Sequence, residues 1–483
     1  MRRNLKIKML LIILFTALMG YAQVPDAHDL SGPGSQNPAQ SFKPILQDYI
    51  SLALASNEGL RQTQLDYAAE LSALKEAKGL FFPEISVNAR YTVADGGRII
   101  SFPIGDLLNP VYSTLNLLTF SDQFPQVENE EFPFFRPREQ ETKLRLVQPI
   151  FNSDIIQNVK IRQQASEIAH ISIEQYRREL IREVISAYYT FVKASQLFIL
   201  ADTSMALADE NLRVSRSLHN NGLATIDAVY RSQAEISKVE VQQAQARNML
   251  ESSRAYFNFL LNRDLSEAVE LGSENTLDPA VNFKEEPGSS LLSLEEATQM
   301  ALAKRQELVL IKAYMDLNER RSALYKGGRF PGLSGVVDYG FQGEDYQFTQ
   351  DDDFVMASLV LQWTLFQGRV NQEKIQRSKI EREKLQSMYA QAEQQVRLDV
   401  LNSYFGLQAA RESIQSANNQ LQALRRVYKL MRRKYQEGQA SLLELIDART
   451  SMIAASANLI LARSDYSIKL ADFYYAIGVS TYT

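Results

Sequence analysis

Cysteine is absent from the chain, tryptophan occurs once and histidine only three times. Without thiols there are no disulfides and no thiolate metal sites. The 483 residues must therefore cohere through buried surface, which a chain of this size has in sufficient amount. His28, His170 and His219 are too scattered to give metal-ligand spacing. No P-loop, dinucleotide-binding glycine pattern or nucleophile elbow occurs, and no serine stands in a triad context. Catalysis has no residue-level support, and no cofactor is implied. A net charge of −5 also disfavours sequence-independent binding of nucleic acid.

Long hydrophobic runs are scarce as well. The clear one, residues 9–19, follows Arg2, Arg3, Lys6 and Lys8 and ends in Gly20-Tyr21-Ala22. This is the pattern of a secretory signal peptide over residues 1–22, cleaved before Gln23. The run is about half the roughly 20 residues a helix needs to cross a bilayer. Removing the signal takes four of 52 basic residues and none of 57 acidic ones, so the mature chain carries about −9. No cysteine adjoins the cut, which excludes a lipid anchor there. Beyond the signal no stretch approaches a membrane-spanning helix, so insertion into a membrane has to use β-strands.

What the chain does have is a repeat, the kind of signal that constrains a whole architecture. Ala53-Leu54-Ala55, Leu60, Lys78-Gly79 and Phe82-Pro83 recur 248 positions later as Ala301-Leu302-Ala303, Leu308, Lys326-Gly327 and Phe330-Pro331. Tyr188, Ala194, Gly222, Ala224 and Phe257 recur 216 positions later as Tyr404, Ala410, Gly438, Ala440 and Phe473. Each half reads helix, strand, loop, strand, very long helix, turn, helix.

Residues 23–44 read as a flexible tail, rich in Pro, Gly, Ser, Asn and Gln. The first repeat is expected over 45–262 and opens with one helix over about 45–78. Strict alternation follows, with Ile85, Val87, Ala89, Tyr91 and Val93 opposite Ser86, Asn88, Arg90 and Thr92. This predicts a strand over about 84–93 with one apolar and one polar face. A partner strand over about 142–151 returns from an irregular, Pro- and Phe-rich segment, 94–141. That segment reads as a loop insertion, with a plug, a cap over the outer mouth or a partner site as the alternatives. The second repeat, 294–483, is expected to have strands over about 332–341 and 354–366, joined by a short acidic loop. Its Asp351, Asp352 and Asp353 suit either solvation or a divalent cation.

Proline and glycine are missing where helices would be longest. Neither occurs between Asn152 and Asn220, and only Gly406 interrupts 369–437. These spans predict helices of some 70 residues, on the order of 100 Å long, a length suited to coiled-coil packing. Gly222 and Gly438 end them, and helices over about 223–262 and 440–477 return. Residues 263–293, with Gly272, Pro279, Pro287 and Gly288, read as a linker.

Four strands with an apolar face cannot stand alone in lipid, where unpaired edge groups cost several kcal/mol each. The smallest membrane barrels have about eight strands. A single chain cannot close one; three copies give twelve strands. The other reading is a soluble sheet packed on the helices, as in a periplasmic or surface coiled-coil scaffold or an adhesin.

The sequence resembles the TolC-type outer-membrane efflux proteins of Gram-negative bacteria over about residues 46–478. The likeness rests on the Phe-Pro that precedes a strand in both halves, Pro149-Ile150-Phe151 at a strand end, and Ala187-Tyr188-Tyr189 in the long helix. It also includes the Gly-x-Ala turns at Gly222 and Gly438. No single motif is specific; their duplicated order and spacing are. The resemblance implies a mainly α fold with a membrane β-barrel portion, built from two tandem repeats. A homotrimer would join a twelve-stranded barrel in outer-membrane lipid to a twelve-helix periplasmic tunnel. It implies a passive exit duct, not an enzyme, working with a periplasmic adaptor (membrane fusion) protein and an inner-membrane RND or ABC transporter.

The resemblance also implies a gate at the tip turns. Glu444 and Asp447 fall where the family has its constriction acids, and threefold symmetry would stack them into carboxylate rings selective for cations. Standing three apart on one helical face, they also suit a plain solvated surface. Tyr435 matches a tyrosine that holds the tip shut, and Asp227 lies one residue from the expected partner acid. The family's arginine is replaced by Ala440, so Arg449 or Arg231 are the candidate substitutes. Tyr91, Tyr339 and Trp363 either belong to an aromatic girdle at the bilayer interface or are scattered strand aromatics.

Overall fold

The computed structural model describes residues 44–271, 292–344, 346, 348–349 and 351–479. The expected signal peptide (1–22), the tail (23–43), the middle of the expected linker (272–291) and Asp345 lie outside those residues.

Two helices, α1 (Pro44–Ser56) and α2 (Glu58–Gly79), lead into strand β1 (Glu84–Val93). The single helix expected over 45–78 is thus broken at Asn57, whose side chain caps α2 by accepting the Leu60 N–H at 3.0 Å. Asn57 also donates to the Leu260 carbonyl at 3.0 Å, so the break is where this hairpin docks. Beyond β1 lie β2 (Ile99–Phe102), α3 (Ile104–Thr119), β3 (Glu130–Pro133) and β4 (Arg138–Phe151). The segment expected to be irregular therefore carries a helix of 16 residues and a two-stranded sheet of β2 and β3. Asn109 and Asn116 bond the backbone at Val127 and Phe124 and support a helix that Pro110 would otherwise weaken.

Two very long helices dominate the rest. α4 (Ser153–Asn220) has 68 residues and α5 (Ile226–Leu260) returns beside it. In the second half α6 (Leu294–Lys304) and α7 (Gln306–Gly327) lead to β5 (Gly332–Gly343) and β6 (Asp353–Gln362). α8 (Val370–Gln436) then runs for 67 residues and α9 (Leu442–Ala476) returns. β6 ends before Trp363, short of the expected 366. The Trp363 indole instead donates to the Arg329 carbonyl at 3.0 Å. Windows within α4 and α9 are long and apolar enough to cross a membrane, which corrects the expectation that no such stretch exists. Within this chain 44% of the α4 window and 39% of the α9 window are buried.

Two of the buried apolar clusters gather the recurring residues. Leu60, Val184, Tyr188 and Phe257 are buried in one. Leu308, Val400, Leu407 and Phe473 are buried in the other, with Tyr404 packed against it. The recurring residues meet in pairs: ring centroids lie 5.8 Å apart for Tyr188–Phe257 and 6.1 Å for Tyr404–Phe473.

The four main strands form one antiparallel sheet in the order β1-β4-β5-β6. Its register puts Ile85, Leu146, Val337 and Ala357 in one row and Val87, Leu144, Tyr339 and Val355 in the next. This face is apolar and largely exposed. The opposite face carries a charge ladder. Arg90 meets Glu141 at 3.4 Å, Glu141 meets Lys143, and Arg145 grips both oxygens of Asp338 at 2.8 and 2.7 Å. A register shift between Pro149 and Phe151 ends the β4–β5 ladder just before α4 begins, a place where proline's missing donor is tolerated.

Candidate functional site

The two helical hairpins end in turns of the same construction. Gly222 and Gly438 have φ of +73° and +72°, a left-handed conformation that glycine adopts at no steric cost. Gly438 N–H bonds the Tyr435 carbonyl at 3.1 Å, and Gln439 N–H bonds the Lys434 carbonyl at 2.7 Å. Gly222 and Leu223 repeat that pair onto His219 and Leu218, both at 2.9 Å. These are Schellman closures, which satisfy the last carbonyls of each long helix.

The hairpin tips pack on each other. Tyr435, Leu442 and Leu445 from one are buried with Ala228 from the other, flanked by Val214, Leu218, Ala224 and Ala440. Tyr435 is therefore a core residue of the tip, and Ala440 fills the place where an arginine was expected with a small apolar side chain. Asp227 is not joined to Tyr435. Its carboxylate stays local, accepting from Thr225 and facing Arg231 at 3.7 Å on an exposed surface.

Glu444 has a structural task. Its carboxylate accepts the Ser441 N–H at 2.7 Å and the Ser441 hydroxyl at 2.8 Å, while Ser441 Oγ accepts the Glu444 N–H at 3.3 Å. This capping box opens α9. The Ser441 backbone bond, then its hydroxyl, hold the Glu444 carboxyl below the usual carboxylate range. Asp447 lies exposed one turn on. The end of α8 is basic, with Arg425, Arg426, Lys429, Arg432 and Arg433 all exposed. Cations suit a helix C-terminus.

The residue that sequence reasoning left without its partner is Arg449. Only 1% exposed, it bonds Glu235 on α5 at 3.0 Å through one terminal nitrogen, while Nε and the other terminal nitrogen stay buried without a partner. Ser215 and Ser232 lie one turn nearer the tip, buried and 2.9 Å apart. A signal for this was present: Leu442, Leu445 and Arg449 share one helical stripe. A charge on an apolar stripe calls for a buried counter-charge. Glu235 is not identifiable from sequence, because nothing local marks which acid on α5 faces α9.

Comparison with known proteins now decides the family. The profile described as outer membrane efflux protein matches residues 136–263 and 297–479, well over half of the chain. The chain belongs to the outer membrane efflux protein family. Among curated relatives of this family, the outer membrane protein TolC of Salmonella enteritidis is 21% identical over 459 residues, 93% of this chain and 84% of that protein. TolC of Escherichia coli K12 is 21% identical over 461 residues with the same shares. The Campylobacter jejuni CmeC outer membrane channel superposes with a TM-score of 0.73 at 14% identity, covering 94% of this chain and 93% of that one. CusC gives 0.71 at 15% identity, over 94% and 99%. This member of the outer membrane efflux family is thus an outer-membrane protein of transport.

Proposed function

We propose that three copies of this chain form the exit duct of a tripartite efflux or type I secretion system. The observation that carries the reading is the four-stranded sheet. β1 and β6 are its outer strands, each paired on one side only among the described residues. One face is apolar and the other holds the charge ladder. In lipid such edges must be paired. Joining β1 of one copy to β6 of the next closes twelve strands, with the apolar face outward and Arg90, Glu141, Lys143, Asp338 and Arg145 toward the lumen.

The dimensions fit. Ten residues of β6 span about 34 Å along the strand and about 25 Å across the bilayer at the usual tilt. Tyr91 and Tyr339 then fall at the outer interface, Tyr91 stacked on Tyr346 at 5.7 Å. Trp363 falls at the inner one. Two tandem units per chain, each giving a hairpin and a long helix with its return, supply a twelve-helix tunnel in the periplasm.

The tip turns at Gly222 and Gly438 form the periplasmic end, where an adaptor protein and an inner-membrane RND or ABC transporter would engage. The duct catalyses nothing; its partners supply the energy. Tyr435 holds the closed tip as a buried wedge, and Asp447, with Glu444 beside it, forms the acidic constriction. Asp227 contributes through its own hairpin. The test is reconstitution. A detergent-extracted, heat-modifiable trimer that conducts in planar bilayers is expected. Its cation selectivity should fall in the Glu444→Gln/Asp447→Asn double variant. A soluble monomer released by osmotic shock would overturn the duct, and unchanged selectivity would remove the acidic ring.

A further inference from the structure

The insertion between β1 and β4 is a self-contained projecting unit. Bonds from Ala94 N–H to the Pro137 carbonyl (3.0 Å) and from Phe134 N–H to the Arg98 carbonyl (2.8 Å) extend the β1–β4 hairpin into the β2–β3 sheet. One side of α3 is fastened to its own following chain. Asn109 exchanges bonds with Val127 at 2.9 and 2.8 Å, and Asn116 with Phe124 at 2.7 and 3.0 Å. Gly105 permits that closeness, since a Cβ there would lie 2.3 Å from the Val127 carbonyl oxygen. The other side faces outward with Leu107, Val111 and Leu118, which are 70, 52 and 70% exposed. α3 packs substantially on no other named helix or strand of the chain.

An outward apolar helix face needs a cover, and charge selects between a bilayer and another copy. Helices that lie on anionic bilayer surfaces carry Lys and Arg on their polar side. α3 has neither, and residues 94–137 hold six acidic residues against two arginines. An uncharged apolar face instead fits its own symmetry mates without any charge penalty. Size agrees. Sixteen residues of helix span about 24 Å. Twelve strands about 4.8 Å apart, tilted by about 40°, enclose a ring whose backbone diameter is also on the order of 24 Å.

We propose that α3 from three protomers meets through the Leu107, Val111 and Leu118 faces to form a lid over the outer mouth of the barrel. This rests on the trimeric barrel reading. The chain's lack of cysteine makes the test clean: Val111→Cys in the full-length protein, purified in detergent, with its mass measured before a short bismaleimide is added. The expected result is a trimer by mass, covalent dimers and trimers, and labelling by a water-soluble maleimide at least tenfold slower than at Gln123→Cys. A trimer that yields no covalent product and labels as fast as Gln123→Cys overturns the lid while leaving the barrel intact. Quenching of a bimane on Val111→Cys by brominated lipid in vesicles also overturns it, in favour of the bilayer surface. A monomer by mass overturns barrel and lid together.

Discussion

Arg449 reaches from α9 to Glu235 on α5 and makes, at 3.0 Å, a buried ion pair between the two helical hairpins near their tips. The pair sits just above the apolar cluster around Tyr435. It is the charged contact that spans the hairpins at this level among the described residues, so parting the tips must break it.

Removing one partner strands the other. Glu235→Ala leaves the buried Arg449 without its counter-charge, at a cost of about 3 kcal/mol or more. Arg449→Ala costs less, because Glu235 keeps Lys238 at 3.9 Å. Glu235→Leu with Arg449→Met replaces the pair by apolar groups and restores most of that loss. Hydrogen exchange at the tips of α5 and α9 reads both effects. Equal exchange in the single and double variants would show that the pair does not couple the hairpins.

Two glycines should respond in opposite directions to alanine. Gly438 has open space around it but a left-handed backbone, so Gly438→Ala costs about 1–2 kcal/mol. Gly406 lies inside α8, and its Cβ would make only ordinary contact with Lys469 at 3.6 Å. Gly406→Ala should gain up to about 1 kcal/mol. Thermal denaturation of the detergent-solubilised protein, with local exchange, checks both signs.

The capping box at Ser441 should titrate. The Glu444 carboxyl is held low in the folded protein. Its contribution is therefore complete above the unfolded value, about 4.3, and is lost as pH falls through the lower folded value. Glu296, held low by the Ser293 hydroxyl and then the Ser293 backbone, does the same at the start of α6. Exchange in the first turn of α9 should rise below about pH 4 in the wild type. In Glu444→Gln that step should vanish, and a persisting step would assign it to another group.

The charge ladder should decide whether the proposed trimeric barrel assembles. Asp338→Ala leaves Arg145 and Lys143 without their shared partner in the middle of the sheet. The heat-modifiable trimer should be reduced or lost on a gel. Gly340→Val should do so as well, because a Cβ there would lie 2.5 Å from both Lys143 Cβ and the Thr142 carbonyl oxygen. A trimer of wild-type resistance in both variants would separate β4–β5 pairing from assembly.

Some elements were legible because their causes are local. Alternation along 84–93 marks a two-faced strand whatever surrounds it, and Gly222 and Gly438 end long helices because only glycine takes that backbone freely. The α3 helix escaped notice for the converse reason. Pro103 and Pro110 read as breakers, and what supports the helix is a set of asparagine bonds to chain up to 18 residues away.

The candidate gate divides the same way. The sequence by itself determined that the chain runs as paired halves, with two-faced hairpins and unbroken helices punctuated by glycine. Period and turn chemistry are properties of neighbouring residues. Only the tertiary structure decided that Tyr435 is buried between the hairpin tips, that Glu444 is engaged at home, that Asp227 stays on its own hairpin, and that Arg449 finds Glu235. A buried charge must be matched by whatever lies across the interface, and that depends on how two residues 214 positions apart, on different hairpins, come to face each other.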